Sequence, residues 1–426
     1  VFKAKSDIEV LYKENETNDI VTLEFLFDKG TNSDPALALA SDYISYLGTE
    51  DMSAEEFALE MYKLACSMSF QTGATQSYYA ITGLPENISR ALELVENLLA
   101  DAKGDEDILN ELKSDFLKNR NDNKFNQSAC SSALNRYVIY GPEYIKSTTL
   151  SDDELIALSS EELLAKVTNL LTLQHKAIYY GPQSEAEVKA LINDCHEVAG
   201  ELVPCEKVYP AKRVVSSPAV FIAPYESRQF NYIQYSDRGE KFELADAPQI
   251  ELFNQYFGGG MNTIVFQEMR EARALAYSAS AYLTSPSFLD DTYSFYARIG
   301  SQNDKLQTAV EAFDDIINNM PESESALEIA KTSLDGVLRT QRTTGISVLN
   351  SYLNAKELGL DEPVDRLVFE KLESMSIEDL KATQQKWIKD RVYVYGLLGD
   401  SSGMDLKFLS TLGPVNQISL EDIFGY

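Results

Sequence analysis

The chain has 426 residues, 44% of them hydrophobic and 24% charged, and its 67 acidic side chains outnumber 37 basic ones for a net charge of −30. The acids are spread along the chain rather than gathered in a tail, which argues against a nucleic-acid partner, since phosphate binding needs concentrated Lys and Arg, and is compatible with basic peptides on a charged, soluble surface. No apolar run approaches the roughly 18–20 residues that span a bilayer, and the length suggests about two to three domains. The chain begins at Val1, as a processed or excised piece would, so the lack of a signal peptide says little about compartment.

In chain order, residues 8–12 and 20–26 alternate in part and predict two strands around the turn Glu14-Asn15-Glu16-Thr17-Asn18. Ser33-Asp34-Pro35 opens a helix through Ala36–Tyr46 that Gly48 ends, and a second helix over 53–66 starts at a capping box, Ser53 with Glu56. A hairpin pattern over 67–83 follows. Helices are predicted at Pro85–Leu99, 105–120, 125–139 and Ser159–Leu171, then a short strand at Lys176–Tyr180, a helix at 184–194 and a linker with Pro204 and Pro210.

The second half repeats this order. Tyr46-Leu47-Gly48 answers Tyr256-Phe257-Gly258 at an offset of 210, and helix 53–66 answers 263–276. Ser67–Gly83 answers Tyr277–Gly300, with a hairpin seven residues longer, after which Leu158–Leu163 answers Met375–Leu380 and Ala177–Gly181 answers Val394–Gly399. An internal duplication is the strongest organisational signal in the chain. It predicts an α+β fold of two duplicated domains, 1–208 and 209–426, each an antiparallel-rich sheet with helices packed on it.

Four cysteines (Cys66, Cys130, Cys195, Cys205) show no Cys-x-x-Cys and read as buried apolar residues; only Cys195 and Cys205 are close enough in sequence for a bridge to be considered. His175 and His196 are the only histidines, and neither has a companion at zinc-ligand spacing.

The stretch 256–278 carries the chemistry. Gly258, Gly259 and Gly260 break the backbone, where glycine takes positive φ without cost. A helix pattern places Val265, Met269 and Ala272 on one face, and from Tyr277 a period of two puts Tyr277, Ala279, Ala281 and Leu283 on one side of a strand. Arg270 and Tyr277 thus lie seven residues apart across a helix-to-strand junction. The glycines have two readings, a backbone open to a bound peptide or a simple turn into the helix. They are no phosphate loop, because no Lys-Ser/Thr follows.

Duplicated α+β halves, the Gly-rich turn, Arg-Glu-x-Arg-x-Leu-x-Tyr and a late Ser-x-Glu-Asp-Leu helix together resemble the insulinase/pitrilysin-type metallopeptidases, the inverted zincins, over essentially the whole chain. The resemblance implies a metallopeptidase fold of the LuxS/MPP type. In that family two such halves close as a clamshell; one holds zinc through H-x-x-E-H, and the other supplies an Arg/Tyr pair. Counting back from Gly48-Thr49, the histidine positions fall on Leu39 and Tyr43 and the glutamate position on Asp42, so no metal site survives in this chain. Arg270 and Tyr277 match the pair in type and spacing, with Arg273 as a structural competitor and Ala274 and Ala276 where family members usually have glycine.

The resemblance therefore implies a noncatalytic half or subunit of a zinc endopeptidase, inactive alone. Arg270 and Tyr277 would be donors to the scissile carbonyl, Gly258, Gly259 and Gly260 candidate substrate contacts, and zinc would sit in a homologous partner half, fused or separate. A non-proteolytic scaffold of the same fold is the alternative. Similar bacterial enzymes imply a periplasmic or secreted location, with the cytoplasm left open.

Overall fold

A computed structural model describes residues 1–198, 200–258 and 260–426. Its first half contains β1 (Phe2–Lys3), β2 (Glu9–Glu14), β3 (Val21–Phe27), β4 (Gly48–Thr49), β5 (Ser67–Thr72), β6 (Ser77–Gly83), β7 (Ala102–Lys103) and β8 (His175–Gly181). The second half contains β9 (Ala219–Pro224), β10 (Gln229–Lys241), β11 (Ser278–Thr284), β12 (Thr292–Gln302), β13 (Val394–Gly399) and β14 (Val415–Gln417). Except for the small β4–β7 pair, these strands form two six-stranded sheets, β1-β2-β8-β3-β6-β5 and β11-β12-β10-β13-β9-β14.

Read from its β14 edge, the second sheet repeats the first strand for strand. In each, the last long strand (β8 or β13) inserts into the middle. It runs parallel to the first long strand of its half, β2 or β9, and antiparallel to the next, β3 or β10. Only the outermost edge differs: β1 is antiparallel to its neighbour and β14 parallel. The fold is α+β, as the duplicated pattern predicts.

Alternation decides the faces. On β3, Val21, Leu23, Phe25 and Phe27 are all buried against the helix Pro85–Asp101, which contributes Leu92 and Val95. The second sheet buries Tyr293, Phe295, Ala297 and Ile299 in the same manner, beneath the helix Leu306–Asn318. Helix starts follow the sequence signals: Ser53/Glu56, Ser159/Glu162 and Ser376/Asp379 all close capping boxes.

The opposite faces of the sheets are covered by exchange. The helix Gln127–Tyr140, from the first half, lays Ala133, Leu134 and Val138 on Ile233, Tyr235 and Val394 of the second sheet. A Cβ on Gly396 would come within 2.8 Å of Val138, so glycine there lets the helix approach. Reciprocally, the helix Ser347–Glu357 of the second half sets Leu349 and Leu353 on Leu11, Leu26 and Ile178 of the first sheet.

The two histidines, far from any ligand pattern in sequence, meet in the first core. His175 Nδ1 bonds the Leu173 carbonyl at 2.7 Å and therefore donates, leaving its Nε2 to accept from His196 Nε2 at 3.0 Å. His196 Nδ1 is hydrogen-bonded to Glu96 at 2.6 Å, and that carboxylate also accepts from the Tyr79 hydroxyl and the Glu197 amide. The ring centroids are 5.1 Å apart, so the imidazoles meet nearly head-on. That gap holds a proton; a zinc ion between them would need about 2.0–2.1 Å to each nitrogen. All four cysteines are free, Cys66 and Cys130 buried and Cys195 and Cys205 partly so.

Candidate functional site

Arg270 and Tyr277 are positioned by a helix end, a turn and a strand start. The helix Ala247–Phe257 buries Phe253, Tyr256 and Phe257 and stops at Gly258. Gly258 has φ −150°, so positive φ does not account for it. A Cβ there would lie 1.9 Å from the Ala281 carbonyl oxygen, and the Gly258 carbonyl accepts the Ala281 amide at 3.2 Å. Glycine at this place docks the helix end against β11. Gly259 lies outside the described residues. The Gly260 carbonyl accepts the Thr263 amide and hydroxyl, and its Cβ direction faces open space.

The next helix starts at Ile264, and its later part, Gln267–Ala272, is widened to a π-turn, with the Arg273 amide bonded to the Glu268 carbonyl five residues back. The widening rotates the sequence-derived face: Val265 and Met269 are buried, but Ala272 is exposed. Met269 O then accepts both the Leu275 and Ala276 amides, and Ala274 takes the left-handed conformation at φ 49°. Tyr277 is pinned to β12 by its amide on Gly300 O at 2.8 Å. It sits one residue before β11 with its side chain 73% exposed, rather than sharing the buried face of Ala281 and Leu283 as the alternation predicts.

These constraints bring the pair together. The Arg270 guanidinium carbon lies 5.1 Å from the Phe266 ring centroid and 5.7 Å from that of Tyr277. Its nearest carboxylate is Glu271, at 3.8 Å. Arg273 differs: it reaches Asp315 at 3.3 Å and Glu268 at 3.4 Å, the behaviour of a structural arginine. Among the described residues the Tyr277 hydroxyl has no hydrogen-bond partner. Both side chains therefore present donors whose capacity is not consumed inside the chain. Phe266, four residues before Arg270 on the helix, is the member that sequence reading missed.

The segment that the resemblance aligns with a zinc motif is packed into the core. Leu39 is 1% exposed and has no donor atom for a metal. Tyr43 is fully buried, and its hydroxyl is committed to the Asp105 carbonyl at 2.9 Å, the Asp105 amide at 2.7 Å and Ser160 Oγ at 2.6 Å. Leu39 and Tyr43, the two positions that the resemblance aligns with zinc histidines, serve as core packing and a hydrogen-bond hub. Among the described residues no group of three or more His, Cys, Asp or Glu side chains could hold a metal ion, and no helix is long and apolar enough to cross a membrane.

Residues 175–334, from β8 into the helix Glu324–Thr340, match the family model of the peptidase M16 inactive domain. Over that stretch the chain is similar to an M16 inactive domain. It is 23% identical over 315 residues to an uncharacterized zinc protease of Rickettsia bellii (strain RML369-C), an alignment covering 69% of this chain and 70% of that protein. Its fold is similar to the crystal structure of a peptidase M16 inactive domain from Pseudomonas fluorescens, with a TM-score of 0.72, 16% identity, and coverage of 95% of this chain and 98% of the other. The periplasmic protease PqqL of Escherichia coli gives a TM-score of 0.69 at 16% identity; the match covers 93% of this chain and 45% of PqqL. The chain thus spans nearly all of one of these structures and less than half of another.

Proposed function

We propose that this chain is the noncatalytic half or subunit of a zinc-dependent endopeptidase, closing over a separate zinc-bearing half and lending Arg270 and Tyr277 to peptide-bond hydrolysis. The observation that carries the reading is the pairing of two exposed donors at a helix-to-strand junction, in a chain whose zinc positions are filled by Leu39 and Tyr43. The metal and its water belong to the partner. Arg270 offers a permanent charge and Tyr277 a phenolic donor to the carbonyl oxygen of the scissile bond, where negative charge develops. Phe266 braces Arg270 from one side, which limits its rotamers before substrate arrives.

Gly258 is needed for docking on Ala281, so Gly259 and Gly260 are the better candidates for substrate contact, Gly260 because its Cβ side is open. We divide the halves at 208/209 and place the protein in the periplasm or outside the cell. The similarity to a periplasmic protease supports that location.

The test is reconstitution. The chain is mixed with the protein encoded by, or fused to, its immediate upstream sequence, and cleavage of a quenched, unstructured peptide is followed with zinc present; a partner without H-x-x-E-H would also refute the reading. Arg270→Ala or Tyr277→Phe should each lower the rate by roughly 10²–10³. An unchanged rate in both variants would refute the reading and leave a non-proteolytic scaffold.

A further inference from the structure

A cavity of about 450 Å³ lies at the seam where the exchanged helix Ser347–Glu357 meets the first sheet. Its polar wall is formed by Glu24 on β3, Gln71 and Tyr78 on β5 and β6, Lys207, and Asn350, Asn354 and Glu357 on the helix, with Leu26 and Leu353 beside them. Asn350 and Asn354 are four residues apart and so share one helix face.

The charges around this cavity are settled, except one. Lys207 sits 2.5 Å from Glu357 and 3.9 Å from Asp28, and Tyr209 donates to Glu357. Asp28 is further held by Lys176 at 3.3 Å and by Gln76 at 2.8 Å. Tyr78 donates its hydroxyl to Gln71 at 2.8 Å. Glu24 makes no ion pair or hydrogen bond among the described residues. Burial alone lifts its carboxyl to about 7. An unpaired, partly desolvated carboxyl costs stability, and a cavity with few convergent polar groups and one such residue has the character of a ligand site.

We propose that this cavity binds an alkylammonium group of a peptide, its amino terminus or a lysine side chain, with Glu24 as counter-ion and the Asn350 and Asn354 amide oxygens as further acceptors. An ammonium offers three donors and no acceptor, which these three side chains answer. Glutamine at 71 is already engaged by Tyr78, so it contributes shape rather than a hydrogen bond. The peptide as occupant rests on the proposed function; the preference for a cation rests on Glu24.

Calorimetric titration of the full chain tests it with three unstructured peptides of one backbone: a lysine-free peptide with a free amino terminus, its acetylated form, and an acetylated form with a single lysine. The acetylated lysine-free peptide should bind at least roughly tenfold more weakly than one of the other two, and the stronger of these identifies the source of the amine. Glu24→Gln should abolish the difference, and Asn354→Leu should reduce it, with folding of each checked by thermal melting. Equal binding of all three peptides, no binding of any, or discrimination that survives Glu24→Gln would overturn the site. Arg270→Ala should leave the discrimination intact. If that variant lowers cleavage in the reconstituted enzyme while all three peptides bind equally, the functional reading stands and the amine site falls. The reverse result would sink the functional reading alone.

Discussion

The Arg270 guanidinium carbon lies 5.7 Å from the centre of the Tyr277 ring, although a π-turn and the left-handed Ala274 separate the two residues along the chain. Neither side chain is buried, so neither is required for packing. Arg270→Ala and Tyr277→Phe should therefore change folding stability by less than about 0.5 kcal/mol while removing most cleavage from a reconstituted enzyme. Denaturant melts beside rate measurements separate the two effects. A large loss of stability would make the pair structural.

Ala274 holds φ 49° and Ala65, at the end of the corresponding helix in the first half, holds φ 50°. An L-residue in this region costs about 1–2 kcal/mol, part of which glycine gives back through its freer unfolded chain. Ala274→Gly and Ala65→Gly should each raise stability by about 0.5–1 kcal/mol in guanidinium unfolding. A fall in the midpoint of both would show that the turn tolerates Ala without strain.

The glycine triplet can be resolved residue by residue. Gly258→Ala places a methyl against the Ala281 backbone, which cannot rotate away, so a loss of about 2–3 kcal/mol or more is expected. Gly260→Ala meets nothing within 4 Å among the described residues and should be nearly neutral for folding, within about 0.5 kcal/mol. If Gly260→Ala nevertheless weakens peptide binding, that position touches substrate.

A buried imidazole and a half-buried carboxyl give stability opposite pH dependences. Burial depresses His175 from 6.5 to about 4, so the unfolded chain takes up its proton first. Its contribution is present above about 6.5 and is lost as pH falls toward 4, by up to roughly 3 kcal/mol. Glu24 is raised from 4.5 to about 7, so its penalty is absent below 4.5 and grows as pH rises through 7. Glu24→Gln should add about 2 kcal/mol at pH 8, allowing for residual solvent at the carboxyl, and nothing at pH 4.5. Unfolding titrations at several pH values decide both, and a pH-independent gain for Glu24→Gln would contradict the assignment.

Elements with local causes were legible in the residues. The Ser53/Glu56 and Ser159/Glu162 boxes, the hairpin over 67–83 and the repeat itself rest on neighbours within a few positions or on a constant offset. The short helices Pro142–Thr148 and Asp152–Ala157 escaped notice because their patterns are too brief to show a period. The π-turn at Gln267–Ala272 could not be read, since one extra residue in a helical turn leaves composition unchanged. Gly258 invited a positive-φ explanation, whereas its cause is a strand more than 20 positions on. The meeting of His175 with His196, and the desolvation of Glu24 beneath a helix from the other half, depend on tertiary contacts that spacing alone does not encode.

The exchanged helices Gln127–Tyr140 and Ser347–Glu357 alter what a boundary near 208/209 means. Each half lacks the cover for its own sheet, so a fragment ending there would expose Leu11, Leu26 and Ile178, or Ile233, Tyr235 and Val394, to water. The duplication has the form of a swapped dimer joined into one chain, interlocked as clasped hands are. Proteolytic cleavage of the linker should leave two pieces that co-elute and melt together, and neither piece expressed alone should be monomeric and folded.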